Sequence, residues 1–492
     1  MIAGTSGGTE YACSDPQDPA NVLTVRDTPF GPRRAIPRKD WDFVENSKLG
    51  AGLRAFRLTS GFEPGKIYEV VYRAQDPVVV GLGLAAVRDF ASYLKSERND
   101  VAPVQRVEAM GISQSGRFLR QFLFDGFNAD ENGKKAIDGL LIHVAGAGRG
   151  SFNHRFAQPS RDAQPTNTFF YPTDIFPFAD IPTTDPVTGQ KAGLLDRAVS
   201  ARVVPKIFYT NTSYEYWSRA ASLISTSPDG KKDLPLLDNV RIYFAAGLQH
   251  FSASFPPKRD EESALLGQNL PNPNPILYFW RSWFVAMDAW VHDEKAPPPS
   301  VYPKLSDHTL ISRAELKFPK ISGVHPPGRV QQAFHLDFGP QWKSRIIVKQ
   351  PATVGAPFPV FVPQIDPDGN DLGGIRLPEL DVPIATYTGW NLRDPSTGLP
   401  AERVSFIGSD LPFPKTSADA KTADEPRRPI AERYPSREEY LTQFRAAAEK
   451  LSAARFLLPE DLDALVKRGG EEWDWATTKP PAVPEPPPIA PR

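Results

Sequence analysis

The sequence predicts an α/β fold with a buried, mostly parallel sheet flanked by helices, and three observations predict it. Short apolar runs alternate with helical periodicity between residues 66 and 291; a Gly-Ile-Ser-Gln-Ser-Gly turn joins one such strand to one such helix; and later strands run into loops bearing polar residues.

Residues 1–60 hold the strand-like runs VLTVR (22–26) and LRAFRL (53–58) among turn formers, a β-rich N-terminal piece. From residue 66 the rhythm changes. IYEVVYRA is strand-like, and LAAVRDFASYL (84–94) sets Val87, Phe90, Ala91 and Leu94 at helical spacing. A strand over 104–112, a helix over 116–124, strands over 138–147, 205–210 and 240–246, and an aromatic helix over 275–291 complete a core spanning 61–300. Residues 148–204, rich in Pro, Asn, Asp and aromatics, are too long for a plain connection and read as a lid-like insertion. Residues 301–478 become Pro-rich and form an accessory region packed on the core. Its last two helices open at a Ser436–Glu439 capping box and at Pro459, the second ending at Gly469-Gly470. The tail from Lys479, residues 479–492, reads as a disordered polyproline segment.

Composition narrows the function. In 492 residues, 57 Lys and Arg nearly balance 58 Asp and Glu, mixed along the chain, so no basic field points to nucleic acid or an anionic membrane. The single cysteine, Cys13, cannot form an internal disulfide, and no Cys/His spacing marks a structural metal site. No window approaches a membrane span, and the start has neither a basic nor an apolar leader region, so the chain as written reads as cytoplasmic, and a processed or cropped secreted protein would read the same. With 52 prolines and 35 glycines it stays below the composition of a disordered chain and predicts a folded protein with stiff loops.

The stretch GISQSGR, Gly111 to Arg117, carries the chemistry. A strand-to-helix turn that lifts a serine hydroxyl clear of the backbone needs small residues two before and two after it. Around Ser113 these are Gly111 and Ser115, a departure from G-x-S-x-G only in its last letter; around Ser115 the flank would be Arg117, which is too bulky. The plain alternative is a helix-capping serine. The motif gains weight if an acid and a histidine follow later strands in that order. PKIFYT runs into NTSYEYW, placing Glu215 past a strand end, and VRIYFAAG runs into LQHF, placing His250 likewise. The other six histidines, His143 in its apolar strand among them, read as core or surface residues, and Asp229, Asp233 and Asp238 are rival carboxylates. The N–H of Gln114, at the helix start, is the expected oxyanion donor, with a second from residues 75–80. Arg149, Asn153, Arg155 and Trp217 are candidate substrate-wall residues; the arginines suit a carboxylate-bearing ester and equally suit loop anchoring.

Two motifs compete. VVVGLGLAA (78–86) matches a dinucleotide-binding pattern, but the next strand ends in Gly111-Ile112-Ser113 rather than near an acid for the ribose. DPDGND (366–371) suggests calcium, but its glycine is misplaced and no closing glutamate follows, so a tight surface turn is expected.

The segments IYEVVYRAQDPVVVGLGLAAVRDF, GISQSGRFLRQFLFDGFN, GAGRGSFNHRFAQPSRD, NTSYEYW, GLQHF, PQIDPDGNDLGGIRLPEL and ATYTGWNLR together resemble the poorly characterised bacterial alpha/beta-hydrolase domain family, from about residue 20 to 475. The elbow is also similar to those of glucuronoyl, tannase-like and feruloyl esterases. The resemblance implies an α/β-hydrolase fold with Ser113, Glu215 and His250 at the matching positions, and no particular substrate. Members carry a longer β-rich N-terminal region, so it also implies that the chain begins inside that region. The expected function is a serine esterase acting on a small-molecule ester through an acyl-enzyme, with no cofactor and no metal. Amide cleavage by the same residues and a non-catalytic binding role are the alternatives.

Overall fold

The computed structural model describes residues 11–28, 30–46, 51–63, 65–76, 81–97, 99–100, 104–150, 152, 174–260, 265–344, 346–349 and 352–478. The Pro-rich tail, the polar residues Asn153 and Arg155 and the stretch 153–173 of the candidate lid lie outside them.

The chain opens with strands β1 (Val22–Arg26), β2 (Arg34–Ile36), β3 (Trp41–Val44), β4 (Ala55–Leu58) and β5 (Ile67–Val71). The first strand pairs antiparallel with β2 and with β5, while β3 pairs with β4. Cys13, Leu23, Trp41, Phe43 and Leu58 bury themselves between these pairs in a small core of their own. Alternating apolar residues suit a strand with one wet face, whichever sheet it joins. The register of pairing decides the sheet: the IYEVV strand joins this N-terminal sheet, which reaches past residue 60, and not the parallel one.

The principal sheet follows. Helix α1 (Gly83–Leu94) precedes β6 (Glu108–Ile112), α2 (Gln114–Phe124) and β7 (Gly139–His143). After a short hairpin, β8 (Thr183–Thr184) and β9 (Lys191–Ala192), and α3 (Asp196–Ser200) come β10 (Lys206–Thr212), α4 (Ser213–Ser218), β11 (Val240–Ala245) and α5 (Leu277–Asp293). The order β11-β10-β7-β6 is parallel throughout, with Gly111 opposite Ile142 and Tyr209 opposite both Ile142 and Ile242. β7 stops at His143, short of the apolar run to 147, because Val144 and Gly146 turn the chain at positive φ.

Strand parity sorts the two faces. Leu140, Ile142, Ile207, Tyr209, Ile242 and Phe244 bury against α1 and α2. Leu141, Phe208, Tyr243 and Ala245 bury against Phe279, Trp283, Met287 and Trp290 of α5. Trp283, 1 % exposed, stacks on Tyr243 with ring centroids 6.0 Å apart and on Phe279 at 5.4 Å. Trp283→Ala is expected to cost about 3–5 kcal/mol of stability, read as a lower midpoint in chemical denaturation.

The C-terminal region is joined to this sheet by backbone. Val301 and Ile375 each bridge β11 in parallel, Phe244 N–H donating to Val301 O at 2.9 Å and Ile375 N–H to Phe244 O at 2.7 Å. Its last helices are Arg437–Ala453 and Leu462–Thr478. The second runs straight through Gly469-Gly470, where the sequence predicts a stop. A Cβ on Gly469 would lie 2.8 Å from the Phe444 ring, so these glycines let the two helices approach closely. No helix among the described residues is long and apolar enough to cross a membrane.

Candidate active site

The turn from β6 into α2 is set by sterics within five residues. Ser113 has φ 57° and ψ −113°, a strained backbone for a residue with a side chain. A Cβ on Gly111 would sit 2.4 Å from Ser115 O, so that position admits only glycine. The turn is held by Ser113 N–H donating to His143 O at 2.8 Å and Arg117 N–H donating to Ser113 O at 3.0 Å. The hydroxyl stands where strand ends meet helix start, half-buried, with Gln114 exposed as the first residue of α2.

The next strands deliver two further groups. β10 passes directly into α4, whose capping box pairs Thr212 with Glu215: Glu215 Oε2 accepts from Thr212 N at 3.0 Å and from Thr212 Oγ1 at 2.5 Å. This fixes the carboxylate and leaves Oε1 to face His250 Nδ1 at 2.6 Å. β11 ends at a left-handed Gly247 (φ 65°), and the loop carries His250 so that Nε2 lies 3.0 Å from Ser113 Oγ. The structure thus brings Ser113, His250 and Glu215 into one hydrogen-bonded line.

Burial is the largest influence on both ionisable partners. It lowers the His250 imidazolium below the ordinary 6.5, with Glu215 pulling back in the other direction. It pushes Glu215 up, but the His250 charge and the hydrogen bonds from His250 and Thr212 outweigh it, so the carboxyl titrates below its usual range. The resting pair is therefore neutral imidazole beside carboxylate. With Glu215 accepting at Nδ1–H, Nε2 is the basic nitrogen and it faces the serine.

Rings surround the imidazole. Phe406 stacks on it at 4.8 Å, Phe251 meets it edge-on at 4.4 Å and Tyr214 lies at 5.2 Å. Phe406 has φ 71°, outside the range natural for a bulky residue, and its carbonyl accepts from His250 N–H at 3.2 Å. It comes from the C-terminal region, and nothing in its local sequence signals a place beside a histidine 156 positions earlier.

Such a sheet, with a serine on its elbow and a glutamate and a histidine just past the ends of later strands, defines the α/β-hydrolase class. The chain belongs to the alpha/beta hydrolase domain family, whose sequence model matches residues 33–467. No curated protein and no solved structure matches it.

The other expected residues make contacts of their own. Arg149 is buried, its guanidinium 3.6 Å from the centroid of the Phe124 ring and donating to Phe176 O at 3.0 Å, the arrangement of a loop anchor. Trp217 packs against Trp390 at 5.9 Å inside a buried cluster with Ile311, Leu316 and Leu411, a seam between α4 and the C-terminal region. Asp233 accepts from the N–H groups of Leu305 and Ser306, and Asp229 from Ser227 Oγ. Gln75 N–H donates to Ala12 O at 2.9 Å, and residues 77–80 lie outside the described ones. His143 is a core histidine, Nδ1 2.8 Å from Thr210 Oγ1, and burial drops it to about 3.

The DPDGND turn differs from the surface turn expected of it. Asp366 Oδ1 accepts from the N–H groups of Asp368 and Asn370, and Arg433 pairs with Asp368. Asn370 and Asp371 are buried, because the turn packs against the start of α4 and the turn after β11. Among the described residues, one group places three ligand-capable atoms within 4.8 Å of one another: Glu108, Asp288 and His292, at the far end of β6 from Ser113.

Proposed function

We propose that the protein is a serine hydrolase that cleaves carboxylic esters through an acyl-enzyme, with Ser113 as nucleophile, His250 as general base and acid, and Glu215 as its orienting acid. The observation that carries this reading is the line Ser113 Oγ to His250 Nε2 (3.0 Å) and His250 Nδ1 to Glu215 Oε1 (2.6 Å), with Ser113 on a strained elbow. Ser113 Oγ attacks the ester carbonyl as its proton passes to Nε2, and Glu215 stabilises the imidazolium that forms. The tetrahedral oxyanion is held in part by the Gln114 N–H at the start of α2, where the helix dipole favours negative charge. His250 returns the proton to the leaving alkoxide, and a water activated by the same nitrogen then frees the serine. Phe251, 48 % exposed beside His250, offers an apolar rim to the acyl or alcohol group.

A fluorophosphonate probe tests this. Labelling of the wild type that is lost in Ser113→Ala and kept in Ser115→Ala supports the reading; no labelling of a folded wild type sinks it. A p-nitrophenyl ester series alongside would map the acyl length that the rim accepts.

The pH dependence has a definite sign. Only neutral His250 can take the serine proton, and burial lowers its pKa, so kcat/KM should hold its plateau below pH 6.5 and fall only at lower pH. An acid limb centred above 6.5 in a pH–rate profile would contradict this environment for His250.

A further inference from the structure

We infer that Asp371, in the C-terminal region, is a positioning residue for the catalytic line, tying the start of the helix that carries the acid to the turn that carries the base; the inference rests on the serine-hydrolase reading above. Its carboxylate is buried, and one oxygen, Oδ2, accepts two hydrogen bonds. One comes from Ser213 Oγ, on the first residue of α4 and two before Glu215. The other comes from Gly247 N–H at 2.8 Å, on the turn after β11 and three before His250. Gly247 N–H also reaches Ser213 Oγ at 3.2 Å, which closes a three-membered cluster between the helix start and the turn.

Neither segment is rigid by its own means. α4 is six residues long, too short to stand as a helix without support, and the β11 turn depends on a glycine at φ 65°. Glu215 and His250 are 35 positions apart and joined directly by the one bond between their side chains. A carboxylate oxygen shared between the start of α4 and the turn after β11 fixes their separation independently of that bond. Asp371 is itself anchored: Arg376 donates to its carbonyl, and Ile375 hydrogen-bonds with Phe244 and Ala246 at the edge of β11. A Cβ on Gly247 would lie 2.6 Å from Leu380, so the C-terminal region is pressed against this turn.

Asp371 touches neither the serine nor the imidazole, so its removal should act through their geometry. Displacement of reacting groups by about 1 Å costs on the order of 10²-fold in rate. The test uses the full chain and compares wild type, Asp371→Ala, Asp371→Asn and Ser213→Ala by kcat, KM, fluorophosphonate labelling rate and thermal midpoint. Asparagine keeps an acceptor oxygen for both donors and alanine keeps none. The expected result is a fall in kcat and labelling rate of about 10²-fold in Asp371→Ala with KM little changed. Asp371→Asn should recover most of the rate, and Ser213→Ala, which keeps the Gly247 bond, should fall between them. Should Asp371→Ala prove unfolded, Ser213→Ala against Asp371→Asn carries the same comparison.

A folded Asp371→Ala with wild-type kcat and labelling rate overturns the inference and leaves the catalytic reading standing. So does a change confined to KM, and so does Asp371→Asn as slow as Asp371→Ala. Wild type that folds without labelling overturns the catalytic reading and the positioning role with it.

Discussion

Ser113→Ala is expected to remove ester turnover by on the order of 10⁶-fold in kcat while leaving the fold and substrate affinity close to wild type. The hydroxyl is the only atom deleted, and the strained backbone around it is held by other groups, Ser113 N–H to His143 O and Arg117 N–H to Ser113 O. Alanine places a Cβ where serine has one, so the elbow adds no new clash. The loss corresponds to about 8 kcal/mol of transition-state stabilisation. In the proposed mechanism nucleophile and base act as one unit, so Ser113→Ala with His250→Ala should be no slower than either single variant. Single-turnover kinetics with an activated ester, with circular dichroism on the same samples, would check both statements. Losses that multiply in the double variant would mean that the two residues do not share a step.

Glu215→Gln is expected to lower kcat by on the order of 10⁴-fold, and its cause differs. The carboxylate is fully buried and has two separate tasks. Oε1 accepts from His250 Nδ1, and Oε2 accepts from the backbone and hydroxyl of Thr212. An amide has one acceptor oxygen. If that oxygen stays with Thr212, the amide N–H₂ faces Nδ1 and forces the imidazole proton onto Nε2, which can then no longer take a proton from Ser113. If it turns to His250, Thr212 N–H is left facing a donor inside the protein and the start of α4 loosens. Either way activity falls with little change in KM. Glu215→Asp keeps the charge on a shorter stem and should retain more rate than Glu215→Gln. A glutamine variant with near wild-type kcat would remove Glu215 from the mechanism.

The elbow was legible because its requirements are local. Gly111, Ser113 and Ser115 meet a steric condition that spans five residues, and the clash a side chain at 111 would make is with the carbonyl of Ser115 itself. The order serine, glutamate, histidine was legible because each follows an apolar strand, and parallel strands of one sheet present their carboxyl ends on one side. The capping box that grips Glu215 was missed, although Thr212 and Glu215 stand at the required spacing, because the strand and helix share the junction without a loop. The predicted stop at Gly469-Gly470 failed for a related reason. Glycine ends a helix by taking positive φ, but it also permits close packing, and only the neighbour Phe444 decides which.

By itself the sequence determined the α/β alternation, the elbow at Ser113 and the strand-end positions of Glu215 and His250, since each is enforced by neighbours a few residues away. Tertiary structure alone decided that β5 pairs with β1, that Phe406 stacks on His250 and that the DPDGND turn sets Asp371 between the start of α4 and the turn after β11. Those contacts join residues 41 to 158 positions apart. They arise from burial and from hydrogen bonds whose two halves carry no mark of each other until the chain has closed around them.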